Sequence, residues 1–180
     1  MKKFLPIIFL LASFAGFSQT KSFYDFKVTD IHSKIFNFST LKGKKVLVVN
    51  TASECSLAPQ LKKLQELYEE YGGEDFEIIA FPSNDFGNRE PGNNKQILKI
   101  YTEKFGISFP IMAKSSVKGD EMNPVYEWLT NSKENGTLDA KVMWNFQKFL
   151  MDEDGQVVDV VWPIGSPKSK RITEWLQEDL

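Results

Sequence analysis

The chain has 180 residues, with 24 acidic and 22 basic side chains and 42% hydrophobic residues. At about 100–200 residues per domain, this length predicts one globular domain with a short appendage. The net charge of −2 and the absence of a basic cluster argue against nucleic acid as a partner. One cysteine and one histidine exclude an internal disulfide framework and a structural zinc site with the usual four ligands.

The N-terminal segment has the pattern of a targeting signal. Two lysines precede an apolar run, Phe4–Ala15, and small residues follow up to Ser18. We expect residues 1–18 to be a signal peptide and the protein to be exported, either periplasmic or secreted. The run is shorter than the roughly 20 residues that cross a bilayer, so no stable membrane span is expected after cleavage. The alternative is that the segment stays as an uncleaved anchor.

Residues 22–180 contain no repeat or linker and are predicted to form one domain. Short runs at 26–28 and 35–38 predict an N-terminal β-hairpin. Strand and helix patterns then alternate, with continuous apolar runs in the strands and one-sided apolar stripes in the helices. The elements are strand 45–50, helix 59–71, strand 76–81 and helix 93–105. This alternation predicts a parallel strand pair in an α/β layer.

The order of elements changes after residue 106. The patterns predict a short strand 109–112, a short helix 124–129, a hairpin of strands 146–151 and 156–162, and a closing helix 167–180. A βαβ half followed by a hairpin and a final helix is the thioredoxin-like plan. We therefore expect an α/β protein with a central mixed sheet flanked by helices and an added N-terminal β-hairpin.

The single cysteine, Cys55, follows strand 45–50 and precedes helix 59–71. Functional sites of α/β proteins lie beyond the carboxyl ends of parallel strands, and a helix N-terminus supplies positive potential that favours a thiolate. The alternative is structural, because unpaired cysteine is among the most buried residue types. Position alone leaves both interpretations open.

Three motifs make the sequence similar to the glutathione peroxidase family, in its compact phospholipid-hydroperoxide and thioredoxin-dependent forms. Residues 50–55, N-T-A-S-E-C, resemble N-V-A-S-x-C/U. Residues 81–92, F-P-S-N-D-F-G-N-R-E-P-G, resemble F-P-C-N-Q-F-G-x-Q-E-P-G, and residues 144–150, W-N-F-Q-K-F-L, resemble W-N-F-x-K-F-L. The motifs occur in the family's order and spacing, and the resemblance covers nearly all of residues 23–176.

The resemblance implies a thiol-dependent peroxidase that reduces hydrogen peroxide and organic or lipid hydroperoxides. Cys55 would be the peroxidatic residue, attacking the peroxide and becoming a sulfenic acid. Trp144 and Asn145 match the family's tryptophan and asparagine, and their N–H groups can stabilise a sulfur anion. Adjacent residues of a regular strand point to opposite faces, so both side chains can reach Cys55 only if the backbone is irregular there. We therefore predict that the regular strand begins only after Asn145.

Asp85 departs from the family pattern, which has glutamine there. An ionised carboxylate only accepts hydrogen bonds, and its charge disfavours a neighbouring thiolate. Three arrangements remain open: a protonated Asp85 that acts as proton source, an Asp85 neutralised by Arg89, or an Asp85 that faces solvent in a degenerate site. Arg89 also departs from the family, which has a second glutamine there.

A second departure concerns reduction of the oxidised enzyme. Tyr101 occupies the place of the resolving cysteine of thioredoxin-dependent members, and Ser83 replaces the cysteine of the F-P-C-N motif. By resemblance, an external thiol such as glutathione or a thioredoxin-like protein would reduce Cys55 directly, with no bound cofactor or metal. The short connection 120–143 is similar to members without the tetramer-forming insertion, which implies a monomer with an open site.

Two other functional classes are considered. The first is a redox-inactive thioredoxin-fold binding module, which would result if the charge of Asp85 made the Cys55 thiol unreactive. A thiol-disulfide reductase is the weaker alternative, because Cys55-Ser56-Leu57-Ala58 lacks the second cysteine of a C-x-x-C motif.

Overall fold

A four-stranded mixed sheet organises the computed structural model, which describes residues 21–178. The strands are β3 (Lys45–Thr51), β4 (Phe76–Pro82), β5 (Lys148–Met151) and β6 (Val157–Val161), and their order across the sheet is β4-β3-β5-β6. β3 runs parallel to β4 and antiparallel to β5, and β5 pairs antiparallel with β6. A separate antiparallel hairpin joins β1 (Lys27–Thr29) to β2 (Ile35–Asn37).

The described residues 21–178 form five α-helices. They are α1 (Gln60–Tyr71), α2 (Asn94–Phe105), α3 (Pro124–Thr130), α4 (Ser132–Asn135) and α5 (Lys170–Gln177), and two short 3-10 helices cover Phe23–Asp25 and Phe38–Leu41. A capping box closes the start of α2, where Asn93 and Gln96 bond to each other's backbone N–H groups. Gly106 ends α2 with a φ of 69°, a conformation that glycine adopts without steric cost.

The core has two layers because alternate residues of β3 point to opposite faces of the sheet. Leu47 and Val49 pack with the apolar stripes of α1, α2 and α5, whereas Val46 and Val48 pack with α3 and the N-terminal aromatic residues. All seven residues of β3 are buried. This double coverage explains why the strand has no polar alternation and confirms its predicted central place.

The predicted fold class is confirmed, and four elements differ in detail. Segment 109–112 forms only isolated bridges, since Pro110 has no N–H for a ladder. The closing helix begins at Lys170 rather than at residue 167. The first hairpin strand begins at Lys148 rather than at 146, and the four-residue helix α4 was not predicted, because it is too short for a periodic stripe.

The predicted signal peptide, residues 1–18, lies outside the described residues. Within residues 21–178, no helix is both long enough and apolar enough to cross a membrane.

Candidate active site

Cys55 lies in the turns between β3 and α1, at the carboxyl end of the parallel pair. The residue is 7% exposed and belongs to the apolar cluster that packs with α1 and α2. The sulfur accepts a hydrogen bond from the Leu57 backbone N–H, with an N to Sγ distance of 3.4 Å. Cys55 is therefore nearly covered by protein, and a backbone donor points at its sulfur.

The loop after β4 carries Asp85, whose carboxylate faces a neighbouring turn. Asp85 Oδ2 accepts the Val117 N–H at 2.6 Å and lies 2.9 Å from Ser116 Oγ. Arg89 is exposed, and within residues 21–178 it forms no ion pair with Asp85. The suggested neutralisation by Arg89 is thus not observed. The half-buried side chain does not face free solvent either, because two donors from the 116–117 turn hold it.

The segment that carries Trp144 and Asn145 is irregular, as predicted. Phe146 has a φ of 72°, and β5 begins only at Lys148. A positive φ is rare for a bulky residue and persists only when the surroundings impose it. Asn50 at the end of β3 supplies much of this restraint: its backbone C=O accepts the Phe146 N–H at 2.7 Å, and its side-chain amide donates to the Trp144 C=O at 3.1 Å.

The side chains of Trp144 and Asn145 both contact Phe86. Asn145 is fully buried, and its Nδ2 donates to the Phe86 C=O at 3.1 Å. Trp144 is 43% exposed, and the centroid of its ring lies 5.6 Å from that of the Phe86 ring. Among residues 21–178, neither side chain donates a hydrogen bond to Cys55 Sγ, and Asn145 Oδ1 has no partner.

Hydrogen bonds join the loop after β4 to the loop of Cys55. The Glu54 N–H donates to the Arg89 C=O at 3.0 Å, and the Ser53 N–H and hydroxyl both donate to the Glu90 carboxylate. Since the loop after β4 also holds Asn145 through Phe86, the three motifs found in the sequence meet at one edge of the sheet.

Lys148 is a buried cation that sequence reasoning did not single out. Its Nζ donates to the C=O groups of Phe146 and Gly165, each at 2.7 Å, and to that of Pro163 at 3.4 Å. Pro163 also accepts from Gln60 Nε2 at the start of α1, at 2.7 Å. Burial lowers the pKa of Lys148 to about 7. The side chain connects the turn at Phe146 with the segment that follows β6.

Four of the residues that shape this site were not given roles from the sequence: Asn50, Ser53, Glu90 and Lys148. All four occur within the quoted motifs, which was the available signal. Their partners are distant along the chain, so local sequence patterns could not predict these contacts. Within residues 21–178, no group of three or more His, Cys, Asp or Glu side chains has the arrangement of a metal site.

The fold and the site define a thioredoxin-like protein with one cysteine at the functional edge of its sheet. A family model described as "Glutathione peroxidase" matches residues 23–130. The chain is 44% identical over 146 residues to "Glutathione peroxidase-like peroxiredoxin gpx1" of Schizosaccharomyces pombe, covering 81% of this chain and 92% of the relative. It is 46% identical over 158 residues to "Probable phospholipid hydroperoxide glutathione peroxidase 6, mitochondrial" of Arabidopsis thaliana, covering 87% and 68%.

Solved structures agree with these sequence matches. The crystal structure of T. cruzi GPX1 superposes with a TM-score of 0.63 at 29% identity, covering 87% of this chain and 97% of that one. A thioredoxin family protein of Chlorobium tepidum gives a TM-score of 0.59 at 20% identity, covering 84% and 89%, which supports the fold alone. The chain belongs to the glutathione peroxidase family and is a thiol-dependent peroxidase. The alternative of a redox-inactive binding module is not favoured.

Proposed function

We propose that Cys55 is the residue that reduces the peroxide. The observation that carries this proposal is the place of the only cysteine, at the carboxyl end of β3 and β4 with the Leu57 N–H directed at its sulfur. A backbone donor and the adjoining start of α1 both favour negative charge on sulfur. The Leu57 N–H thus stabilises the thiolate form of Cys55, which is the form that attacks the peroxide.

The reaction has three steps. The Cys55 thiolate attacks the distal oxygen of the hydroperoxide, the O–O bond breaks, and a proton converts the departing alkoxide or hydroxide into alcohol or water. Cys55 is left as a sulfenic acid. An external thiol displaces water to form a mixed disulfide, and a second thiol releases the Cys55 thiol and leaves as the disulfide.

We propose that Asn145 and Trp144 donate hydrogen bonds to the reacting sulfur and oxygen atoms. Asn145 Nδ2 carries two hydrogens and uses one on the Phe86 C=O, so one N–H remains available for a sulfur or oxygen anion. The indole of Trp144 is accessible to substrate, because 43% of the residue is exposed. Positioned donors of this kind stabilise charge that develops in a transition state.

Asp85 is proposed to act through the position of its loop. Its carboxylate accepts from the 116–117 turn and thereby holds the backbone that includes Phe86, to which Asn145 is bonded. This arrangement supports a positioning role for Asp85 in place of the transfer of a proton to the leaving group.

The reductant is proposed to be an external thiol, either glutathione-like or the dithiol of a thioredoxin-like protein, with no bound cofactor. Cys55 is the only cysteine, and Tyr101 and Ser83 stand where related chains carry further thiols, so no internal disulfide can form. We further propose that the protein acts as an exported monomer. The pattern of residues 1–18 supports export, and the short connection 120–143 supports the monomer.

The substrates are proposed to include bulky organic and lipid hydroperoxides as well as hydrogen peroxide. Exposed apolar side chains lie beside Asn145, with Met143 at 49% and Trp144 at 43%. A lipid chain can lie against such side chains, whereas a charged peroxide gains nothing from them.

Single-turnover kinetics test the function at its first step. Hydrogen peroxide is mixed with the reduced protein, and Cys55 sulfenic acid is trapped and quantified by mass spectrometry. We expect oxidation at least about 100-fold faster than for free cysteine, and none after Cys55→Ser, whose melting temperature serves as the folding control. Oxidation no faster than for free cysteine would contradict the proposal. Asn145→Ala should slow the step about tenfold or more. The control Asn135→Ala should not slow it, because Asn135 is a buried asparagine of α4 whose amide donates to the C=O groups of Trp128 and Leu138.

A further inference from the structure

A buried carboxylate, that of Glu90, lies between the loop of Cys55 and helix α2. Glu90 is 1% exposed, and both of its oxygens accept hydrogen bonds. Oε1 accepts from the Ser53 hydroxyl at 2.7 Å, and Oε2 accepts from the Ser53 N–H at 2.8 Å and the Tyr101 hydroxyl at 2.7 Å. Three donors therefore converge on one carboxylate, as the burial of an ionised group requires.

The hydrogen bonds that join the loop of Cys55 to the loop after β4 are made by the first residues of the cysteine loop. The backbone bonds of Cys55 itself are local, from its N–H to the Ala52 C=O at 3.4 Å and from the Ala58 N–H to its C=O at 2.9 Å. The attachments to the loop after β4 come from Ser53 and Glu54. Glu90 is thus the side chain that ties the start of the cysteine loop to α2.

The Tyr101 hydroxyl stays protonated and therefore remains a hydrogen-bond donor to Glu90. Burial, and after it the nearby Glu90, raises the pKa of Tyr101 well above its ordinary value, so the hydroxyl keeps its proton at neutral pH. Burial also raises the pKa of Glu90, while the bonds from Ser53 and Tyr101 and the positive charge of Lys114 oppose that rise. The loss of the Tyr101 hydroxyl therefore shifts Glu90 toward its protonated form, in which it accepts fewer hydrogen bonds.

We propose that Glu90 and Tyr101 are positioning residues for Cys55, which act through Ser53 to hold the loop 52–57 in one conformation. The inference rests on the proposed function of Cys55. The Tyr101 hydroxyl bonds to Glu90 beside the loop, at the position where the resemblance would place a resolving cysteine. Peroxide and external thiol then react with a sulfur that keeps one place through the cycle.

The test compares two buried tyrosines. Tyr101→Phe removes the hydroxyl that bonds to Glu90, whereas Tyr126→Phe removes a buried hydroxyl that has no partner among residues 21–178. Amide hydrogen exchange of the reduced protein is measured at Ser53 and Glu54. We expect Tyr101→Phe to lower their protection at least about tenfold relative to the β3 amides, since a bond to a charged group is lost. Tyr126→Phe should leave it unchanged.

Two further readouts separate positioning from general stability. Tyr101→Phe should slow single-turnover oxidation of Cys55 by hydrogen peroxide about tenfold. The pH below which Ser53 loses protection should move upward in this variant, because Glu90 then takes up its proton at higher pH. Ser53→Ala, which keeps the Ser53 N–H bond, should give a smaller loss of protection at Glu54.

Unchanged protection at Ser53 and Glu54 in Tyr101→Phe would overturn the inference, and so would an equal loss throughout β3 and β4. The exchange measurement needs no peroxide. If the wild-type protein fails to react with hydrogen peroxide, the proposed function fails, while exchange still decides whether the network holds the loop.

Discussion

Glu90 and Asp85 are two carboxylates of the same loop after β4, yet they are attached to opposite parts of the molecule. Glu90 is buried and receives three hydrogen bonds from Ser53 and Tyr101, on the side of Cys55. Asp85 is half-buried and bonds to the 116–117 turn. We call the bonds of Glu90 to Ser53 and Tyr101 the inward attachment, and those of Asp85 to the 116–117 turn the outward attachment. The residue that departs from the family pattern, Asp85, makes the outward attachment, whereas the inward attachment keeps the family's glutamate. A changed residue in a catalytic motif need not change the chemistry if its new partner lies elsewhere.

Removal of each carboxylate gives the largest expected contrast. Glu90→Ala leaves three buried donors without an acceptor and should lower the free energy of unfolding by about 3 kcal/mol or more. Asp85→Ala should cost about 1 kcal/mol, because water can reach the donors that it leaves. Urea unfolding of both variants measures the difference. Equal losses would contradict the distinction between an inward and an outward attachment.

Lys148 gives a pH-dependent test at the third motif. Burial lowers the pKa of Lys148 to about 7 from its ordinary value of 10.5, so between these pH values the unfolded chain holds a proton that the folded protein lacks. The free energy of unfolding should therefore rise with pH across that window, by up to about 1.4 kcal/mol per pH unit, and level off below about pH 7, where both states hold the proton. Denaturation of wild type and Lys148→Met between pH 6.5 and 10 tests this contribution.

In the Lys148→Met variant, the rise with pH should be reduced. Lys141→Met changes an exposed lysine of the neighbouring segment and serves as the control. A wild-type slope that Lys148→Met does not change would contradict the expectation. It would show that the three carbonyl oxygens around Nζ keep the ammonium charged throughout.

Asp85→Gln restores the family residue and should have the smallest effect. Both hydrogen bonds of the carboxylate go to the 116–117 turn, so we expect the single-turnover oxidation rate to change less than about threefold. A rate increase of tenfold or more would show that the negative charge of Asp85 acts on Cys55. In that case, Asp85 does not keep its bonds to the 116–117 turn while the protein reacts.

The sequence predicted the scaffold better than the contacts of the site. β3, β4, α1 and α2 were predicted within a residue or two, because apolar periodicity and flanking glycines are local signals. The irregular backbone before β5 was also predicted, from the need for both Trp144 and Asn145 to reach one site. By contrast, none of the three environments considered for Asp85 included its bonds to Ser116 and Val117, since these partners lie in a turn with no motif of its own.

The amino-acid sequence by itself determined that this protein has one thiol, that the thiol follows the central strand of a thioredoxin-like sheet, and that no second cysteine can resolve it. Those properties follow from composition and from short-range order along the chain. Only the tertiary structure decided that Glu90 faces Ser53 and Tyr101, that Asp85 faces Val117, and that Phe146 adopts a positive φ. These outcomes depend on which distant groups folding brings within hydrogen-bond distance, and separation along the chain carries no information about that.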